Sequence, residues 1–263
     1  TYMGILQSII LGIVEGFTEF LPISSTAHLL LSTRALGITE TEFVKSFVIV
    51  IQLGAILGIV TLYFKKLLTD WDTNKKILLA FLPTALIGFV LYKIIKGFLF
   101  ENFYIMAAAL VLGGIVLIWI ERRVSKPSSV APTINYNLTP ITYRQAFLIG
   151  CIQSLAVIPG VSRAGATIVG GLLLGVSREA IVTFSFLLAV PTMLAATGYD
   201  LLKTGFALNG SQYGLIAIGF VFAYVFAILG VKFLLKLIST KSLAPFGVYR
   251  IILGAILLIF LAI

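Results

Sequence analysis

The sequence predicts an all-α integral membrane protein with six transmembrane helices, two re-entrant helical hairpins and an inverted-topology repeat. The first supporting observation is composition: the 263 residues are 60% hydrophobic and 11% charged, with a mean hydropathy of +1.12. A soluble domain carries about 25% charged residues, so a soluble monomer is excluded. The second is that the apolar residues form runs long enough to cross a bilayer. The third is that the two halves of the chain match each other in order.

The predicted transmembrane helices follow from the length of the apolar runs. About 20 mostly apolar residues are needed to cross the roughly 30 Å hydrocarbon core of a bilayer. Six segments have this length: residues 47–64, 77–95, 103–120, 180–202, 213–235 and 246–263. We therefore expect a single, multi-pass membrane domain.

Two further apolar stretches, residues 4–33 and 146–175, are interrupted in the middle by proline, small polar residues and a charge. We call the interruptions the first break, residues 19–26, and the second break, residues 159–163. Each half of each stretch is too short to cross, so the chain is expected to enter the membrane, turn and leave. Irregular backbone at this depth is tolerated only where it is buried in protein or lines a wet cavity. The breaks are therefore expected to line a cavity.

An internal repeat relates the two halves of the chain. A shift of 137 residues places Pro22 on Pro159 and Ser25 on Ser162. Each half then holds one broken hairpin and three spans, and because three is odd, the second half starts on the opposite side of the membrane. The two breaks can then meet near the middle. The expected organisation is repeat 1 at residues 1–123, a cytoplasmic linker at 124–143 and an inverted repeat 2 at 144–263.

The basic residues predict the orientation. Thirteen of the 19 Lys and Arg residues lie in or beside loops on one face, which the positive-inside rule assigns to the cytoplasm. Arg250 is counted in one of these loops, together with Lys232, Lys236 and Lys241. The net charge of +9 is interpreted as a topology signal facing anionic lipid. Nucleic acid is not expected as a partner, because no basic groove with interleaved aromatic residues occurs.

Ionisable groups inside membrane-embedded segments are costly and therefore point to function. Glu15 and Glu19 are four residues apart and would share one face of a helix. Two carboxylates that face one cavity repel each other unless a cation or proton lies between them, and Mg²⁺ and Ca²⁺ prefer oxygen ligands. The pair thus predicts a divalent-cation site. The alternative is a carboxylate pair hydrogen-bonded to the backbone of the hairpin.

The first break contains Ser24, Ser25 and Thr26 and is followed closely by His28, which is the one histidine of the chain. A hydroxyl beside a histidine can be activated by proton removal, and an imidazole can itself attack phosphorus or act as a general acid. We expect one hydroxyl to cap the second half-helix through its free amides. Another hydroxyl is expected to reach a substrate.

The second break is a glycine-containing loop that opens a helix. Gly160, Ser162, Arg163 and Thr167 supply a flexible backbone, two hydroxyls and a guanidinium. The amides at a helix N-terminus and an arginine together form a phosphate-binding site, so anion binding is predicted here. The alternative is that Arg163 only forms an ion pair with Glu15 or Glu19 across the repeat interface.

The motif at residues 15–28 and the Pro-Gly-Val-Ser-Arg sequence at residues 159–163 resemble those of the bacterial undecaprenyl pyrophosphate phosphatases. The resemblance covers essentially the whole chain. It implies a multi-pass enzyme of the bacterial inner membrane whose site opens to the periplasmic side. It also implies hydrolysis of a C55 polyprenyl pyrophosphate to undecaprenyl phosphate and inorganic phosphate, which recycles the lipid carrier for peptidoglycan synthesis and gives bacitracin resistance.

The residue patterns and the resemblance together assign roles to residues. Glu19, Ser25, His28 and Arg163 are the expected catalytic residues, and the nucleophile stays open between Ser25, His28 and water. Substrate binding is expected from Glu15, Ser24, Thr26, Gly160, Ser162 and Thr167, and the divalent cation from Glu15 and Glu19.

Two residues depart from the family pattern, which usually has glycine at Ala27 and serine at Ala164. The missing hydroxyl at Ala164 removes a phosphate contact worth about 0.5–1.5 kcal/mol, so lower activity is expected.

A transporter or lipid flippase is the alternative function, because broken helices in inverted repeats are transporter architecture. A hydroxyl and an imidazole beside a phosphate site favour the enzyme, since a carrier needs no nucleophile. Acid lipid phosphatases of the soluble type are disfavoured, because their chemistry needs more than one histidine. Homodimer formation is compatible with the sequence and is left open.

Overall fold

The structure is a computed structural model that describes residues 3–39, 41–99, 102–123, 141–204 and 210–262. These residues form ten α-helices, and no strand occurs among them, which confirms the all-α prediction. The helices are α1 (Ile5–Glu19), α2 (Ser25–Ala35), α3 (Glu42–Thr69), α4 (Trp71–Ile94), α5 (Phe103–Arg123), α6 (Tyr143–Gln153), α7 (Arg163–Leu173), α8 (Arg178–Thr204), α9 (Gly210–Ile238) and α10 (Ala244–Ala262). A π-helical turn, Ile95–Leu99, follows α4, and a 3₁₀ turn, Ser154–Val157, follows α6.

Five helices are long and apolar enough to cross a membrane: α3, α4, α5, α8 and α9. Five of the six predicted spans coincide with these helices, which agrees with a multi-pass membrane protein. The sixth predicted span corresponds to α10, whose Ala244–Ile259 part is a shorter apolar helix. The count of six therefore stays a prediction. Most of the predicted linker, residues 124–140, lies outside the described part of the chain.

One short helix of each half packs against a long helix of the other half. α1 packs against α9, and α6 packs against α4. Glycines permit both approaches, because a Cβ at Gly16 would lie 2.3 Å from the Ala223 carbonyl oxygen and one at Gly150 would lie 2.1 Å from that of Ala80. Close backbone approach through small residues is the usual way in which membrane helices associate. The two halves are therefore interlocked and share one core.

The two breaks have the same backbone geometry at the start of the following helix. Ser24 precedes α2 with a φ of 71°, and Ser162 precedes α7 with a φ of 68°. Residues other than glycine rarely adopt this left-handed conformation, and such strain is concentrated at functional sites. The two serines are 138 residues apart, one more than the shift predicted from the prolines, because the second break has one more residue between its proline and its helix.

Candidate active site

The first break brings a hydroxyl against a carboxylate. Glu19 is the last residue of α1, Ser25 is the first residue of α2, and both side chains are buried. The turn between the two helices folds them back so that Ser25 Oγ donates a hydrogen bond to Glu19 Oε2 at 2.5 Å. A carboxylate in this position can accept the proton of the hydroxyl and so activate its oxygen as a nucleophile.

The second break meets the first through an ion pair. Arg163, the first residue of α7, donates from Nη2 to Glu19 Oε1 at 2.9 Å. Its Nη1 donates to the Ser185 carbonyl oxygen in α8 at 2.9 Å, and its guanidinium lies 5.5 Å from the centre of the Phe20 ring. The cross-break ion pair considered in the sequence analysis is therefore present. Arg163 Nε is buried and has no partner among the described residues, so the guanidinium keeps a donor for a further acceptor.

Glu15 lies one helical turn before Glu19 and is fully buried. Its carboxyl interacts with Glu19 and Arg163. No donor among the described residues reaches either of its oxygens, and the predicted alternative of hydrogen bonds to the hairpin backbone is therefore wrong for the described residues. A buried carboxylate without a donor is costly unless a proton or a cation accompanies it.

His28 is held between a carbonyl and a phenol. Its Nδ1 lies 2.7 Å from the Ser24 carbonyl oxygen, and its Nε2 lies 2.6 Å from the Tyr249 hydroxyl in α10. Because a carbonyl only accepts, this network assigns the proton to Nδ1 and leaves Nε2 to accept from the phenol. The sequence predicts His28 beside a hydroxyl such as that of Ser25. In the structure that hydroxyl faces Glu19, and both imidazole nitrogens have other partners.

Helix capping occurs at the second break and not at the first. Ser162 Oγ accepts a hydrogen bond from the Gly165 amide at 3.1 Å and so caps α7. Ser24 occupies the equivalent position before α2, but its side chain makes no capping hydrogen bond. Ser24 is therefore not the hydroxyl that was expected to cap this half-helix. Thr26 lies in the first turn of α2 and is partly exposed, so it remains available to a substrate.

Two predicted substrate-binding residues instead shape the second break. Thr167 is fully buried, and its hydroxyl donates to the Arg163 carbonyl oxygen at 2.8 Å and to Gln153 Oε1 at 3.2 Å. These hydrogen bonds place Thr167 behind the loop, and its contact with substrate stays a prediction. Gly160 has a φ of +93°, and a Cβ there would lie 2.4 Å from the Met106 carbonyl oxygen. Only glycine fits this position, which explains its place in the motif.

Two adjacent residues of α10, Tyr249 and Arg250, contact the site although neither was predicted as a site residue. Arg250 was expected among the basic residues of a cytoplasmic loop, but the side chain is 1% exposed and contacts both breaks. This is a correction to the count of loop charges. The signal was present in the sequence, because Arg250 lies inside the predicted span 246–263, where an ionisable residue points to function.

Comparison with known proteins identifies the family. A family model described as "Bacitracin resistance protein BacA" matches residues 8–256. The chain is 49% identical to the undecaprenyl-diphosphatase of Aquifex aeolicus, over 95% of this chain and 96% of the relative. It is 54% identical to that of Sulfurihydrogenibium sp., over 96% and 97% of the two chains, and 50% identical to that of Persephonella marina, over 98% and 99%. On the strength of these full-length matches, the chain belongs to the bacitracin resistance protein BacA family.

Proposed function

We propose that this chain hydrolyses undecaprenyl pyrophosphate to undecaprenyl phosphate and inorganic phosphate, as the names of its relatives indicate. The reaction recycles the lipid carrier for cell-wall synthesis, and the family name associates it with bacitracin resistance. One observation of the site carries the proposal: the Ser25 hydroxyl donates to Glu19, which also pairs with Arg163. A flippase needs a positively charged side chain to bind the phosphate, but it does not need a hydroxyl that is hydrogen-bonded to a base.

Ser25 is the nucleophile that this arrangement favours. In the first step Oγ attacks the terminal phosphorus, its proton passes to Glu19 Oε2, and the anhydride bond to undecaprenyl phosphate breaks. In the second step water attacks the phosphoserine, releases inorganic phosphate and restores the hydroxyl. Arg163 and the positive N-terminal end of α7 stabilise the negative charge on the phosphoryl oxygens in both steps.

His28 is assigned to proton exchange during the second step. With its Nδ1 on the Ser24 carbonyl, its Nε2 is the atom that exchanges a proton, and the Tyr249 hydroxyl occupies this atom in the structure. The Tyr249 side chain is 42% exposed, so water can replace the phenol at Nε2. An imidazole bound to water in this way acts as a general base.

A divalent cation, Mg²⁺ or Ca²⁺, would be held by Glu15 and Glu19. The fit rests on the two buried oxygens of Glu15, which lack a donor among the described residues. The described residues contain no group of three or more His, Cys, Asp and Glu that could hold a metal, so phosphate oxygens of the substrate would complete the ligand set. The cation would supply positive charge to the pyrophosphate and so favour departure of the lipid phosphate.

The proposed topology has six spans and two re-entrant hairpins, with the site facing the periplasmic side of the bacterial inner membrane. At about 1.5 Å per residue, α1 and α2 are roughly 22 and 16 Å long, which is less than the hydrocarbon core. The exchange of α1 and α6 between the halves, together with the equivalent backbone at Ser24 and Ser162, supports an inverted repeat. Single-cysteine labelling from each side of the membrane, at Glu42 and at Lys65, tests this topology.

The decisive test is phosphate release by purified protein in detergent with undecaprenyl pyrophosphate as substrate. We expect multiple turnovers with Mg²⁺ or Ca²⁺, loss of activity with a chelator and recovery when the cation is restored. Unchanged activity with the chelator would contradict the proposed cation site but not the proposed phosphatase activity. If the protein binds the lipid without releasing phosphate, and instead moves it across the bilayer of a vesicle, the phosphatase function is contradicted and a flippase is favoured.

A further inference from the structure

Arg250 is a buried cation whose hydrogen-bond acceptors, among the described residues, are all backbone carbonyls. The side chain projects from α10 and is 1% exposed. Its guanidinium donates to the carbonyl oxygens of Pro22 at 3.2 Å, Gly160 at 2.9 Å, Val161 at 2.9 Å, Ala109 at 3.2 Å and Leu110 at 3.4 Å. No acidic side chain forms an ion pair with Arg250 among the residues that the structure describes. One side chain therefore joins the first break, the second break and α5.

Two glycines leave the space that the guanidinium occupies. A Cβ at Gly113 of α5 would lie 2.1 Å from Arg250 Nη2, and a Cβ at Gly165 of α7 would lie 2.8 Å from Arg250 Nη1. The fork of five N–H donors in arginine is rigid and planar, so it can bind carbonyls from several directions at once. A lysine has three donors on a single nitrogen and cannot span the same set.

The two breaks that Arg250 joins carry different parts of the proposed reaction. The Pro22 carbonyl belongs to the turn between Glu19 and Ser25, and the Gly160 and Val161 carbonyls immediately precede Ser162 and Arg163. A shift of either loop would therefore change the distance between the Ser25 hydroxyl and a phosphate held by Arg163. In a low-dielectric interior an unpaired cation is costly. Fold stability alone would not require a charged side chain at this position.

We propose that Arg250 is a positioning residue for phosphoryl transfer: its guanidinium binds the carbonyls of both breaks and so holds Ser25 and Glu19 in register with Arg163. This inference rests on the proposed function for its kinetic readout. It assigns to α10 a part in the reaction, although Arg250 itself does not touch the reacting atoms.

The test is Arg250→Lys, which keeps the charge and loses the fork. Misplacement of reacting groups by about 1 Å costs on the order of 100-fold in rate, so we expect kcat to fall by roughly 10- to 100-fold. KM should change by less than about 3-fold, because Arg163 and the helix end still bind the phosphate. Gly113→Ala should give the same split between kcat and KM, since the added methyl group pushes the guanidinium away from its carbonyls.

Arg178→Lys is the matched control. Arg178 is also buried, donates to Glu121 at 3.0 Å and lies outside both breaks. It should lower the melting temperature but leave kcat of the folded protein unchanged. If Arg250→Lys behaves like this control, with a lower melting temperature and an unchanged kcat, the proposal is wrong. If Arg250→Lys does not fold, Gly113→Ala decides the question by the same criterion.

The contact of Arg250 with the carbonyls of both breaks is called the clamp, and hydrogen exchange tests it without measuring turnover. In Arg250→Lys the amides of residues 19–26 and 159–163 should exchange faster, whereas in Arg178→Lys they should exchange as in the unchanged protein. Absence of phosphate release from the unchanged protein would contradict the proposed function, and faster exchange in both breaks would still support the clamp. Unchanged exchange in both breaks would overturn the clamp even if the enzyme is active.

Discussion

The first and second breaks have the same backbone conformation, but the helices that follow them differ in burial. Each places a serine with positive φ before a helix of 11 residues. In α7 the nine residues Ala164–Leu172 are all buried, whereas in α2 only Ser25, Ala27 and Leu29 are. The helix after the second break is therefore part of the core, whereas the helix after the first break lies at its edge. This difference suits a division of labour in which one break holds the anion and the other carries out the chemistry.

The helices that precede the two breaks also differ, in the hydrogen bonding of one pair of residues at equivalent positions. Glu15 and Gln153 are 138 residues apart, like the two strained serines, and both are fully buried. The Gln153 amide donates to Thr84 at 2.9 Å and accepts from Thr167 at 3.2 Å. Among the residues that the structure describes, no donor reaches Glu15. The neutral side chain is thus satisfied within the fold, whereas the buried carboxylate is not.

The largest expected effect comes from Glu19→Gln. The amide keeps the size of the side chain but cannot accept the proton of Ser25, and it loses the charge that pairs with Arg163. Loss of general-base catalysis typically costs about 10²- to 10⁴-fold, so we expect kcat for phosphate release to fall by about 10³-fold. Glu42→Gln, at an exposed residue of α3, is the control and should keep full activity. Activity within about 10-fold of the unchanged protein would remove Glu19 as the base.

A smaller effect is expected from Glu15→Gln, which makes the first repeat resemble the second at this position. If Glu15 is a cation ligand, kcat should fall by about 10- to 100-fold, the loss typical for altered metal coordination. The cation concentration that gives half-maximal activity should rise. The measurement is phosphate release over a titration of Mg²⁺. The same half-maximal concentration in both proteins would contradict a role for Glu15 in cation binding.

The smallest effect is expected from Ala164→Ser, which restores the hydroxyl that the family usually has in the second break. A contact with phosphate worth about 0.5–1.5 kcal/mol corresponds to a rise of about 2- to 13-fold in kcat/KM. Ala166→Ser is the matched control, because it adds a hydroxyl to the same buried helix two residues farther from its start. Equal kcat/KM values for the two variants would show that the hydroxyl at position 164 does not reach the phosphate.

The breaks and most of the residues that they bring together could be predicted from the sequence. Proline, small polar residues and charges inside an apolar run are costly in lipid, so they mark both the turn and the site. Glu19 and Arg163 could be expected to meet, because each is an isolated charge that needs a partner at membrane depth. Their contact of 2.9 Å agrees with this expectation.

The partners of Ser25 and His28 could not be predicted in the same way. The two residues are one turn apart on α2, and spacing along a helix shows which side chains are near each other but not where each one points. The turn after α1 directs Glu19 at the hydroxyl, while the imidazole reaches Tyr249, which is 221 residues away in sequence. The partners of Arg250 could not be predicted for a related reason, because these carbonyls come from three distant segments and carry no sequence signal.

The most direct test of the central claim, that the two breaks form one catalytic site, is a double-mutant cycle between Glu19 and Arg163. Glu19→Asp and Arg163→Lys are conservative enough to leave measurable phosphate release, and kcat/KM is determined for each single variant and for the double variant. If the two residues act as a unit, the double variant should lose no more than about 3-fold beyond the more impaired single variant. Losses that simply multiply would show that the two breaks contribute independently and would contradict the account.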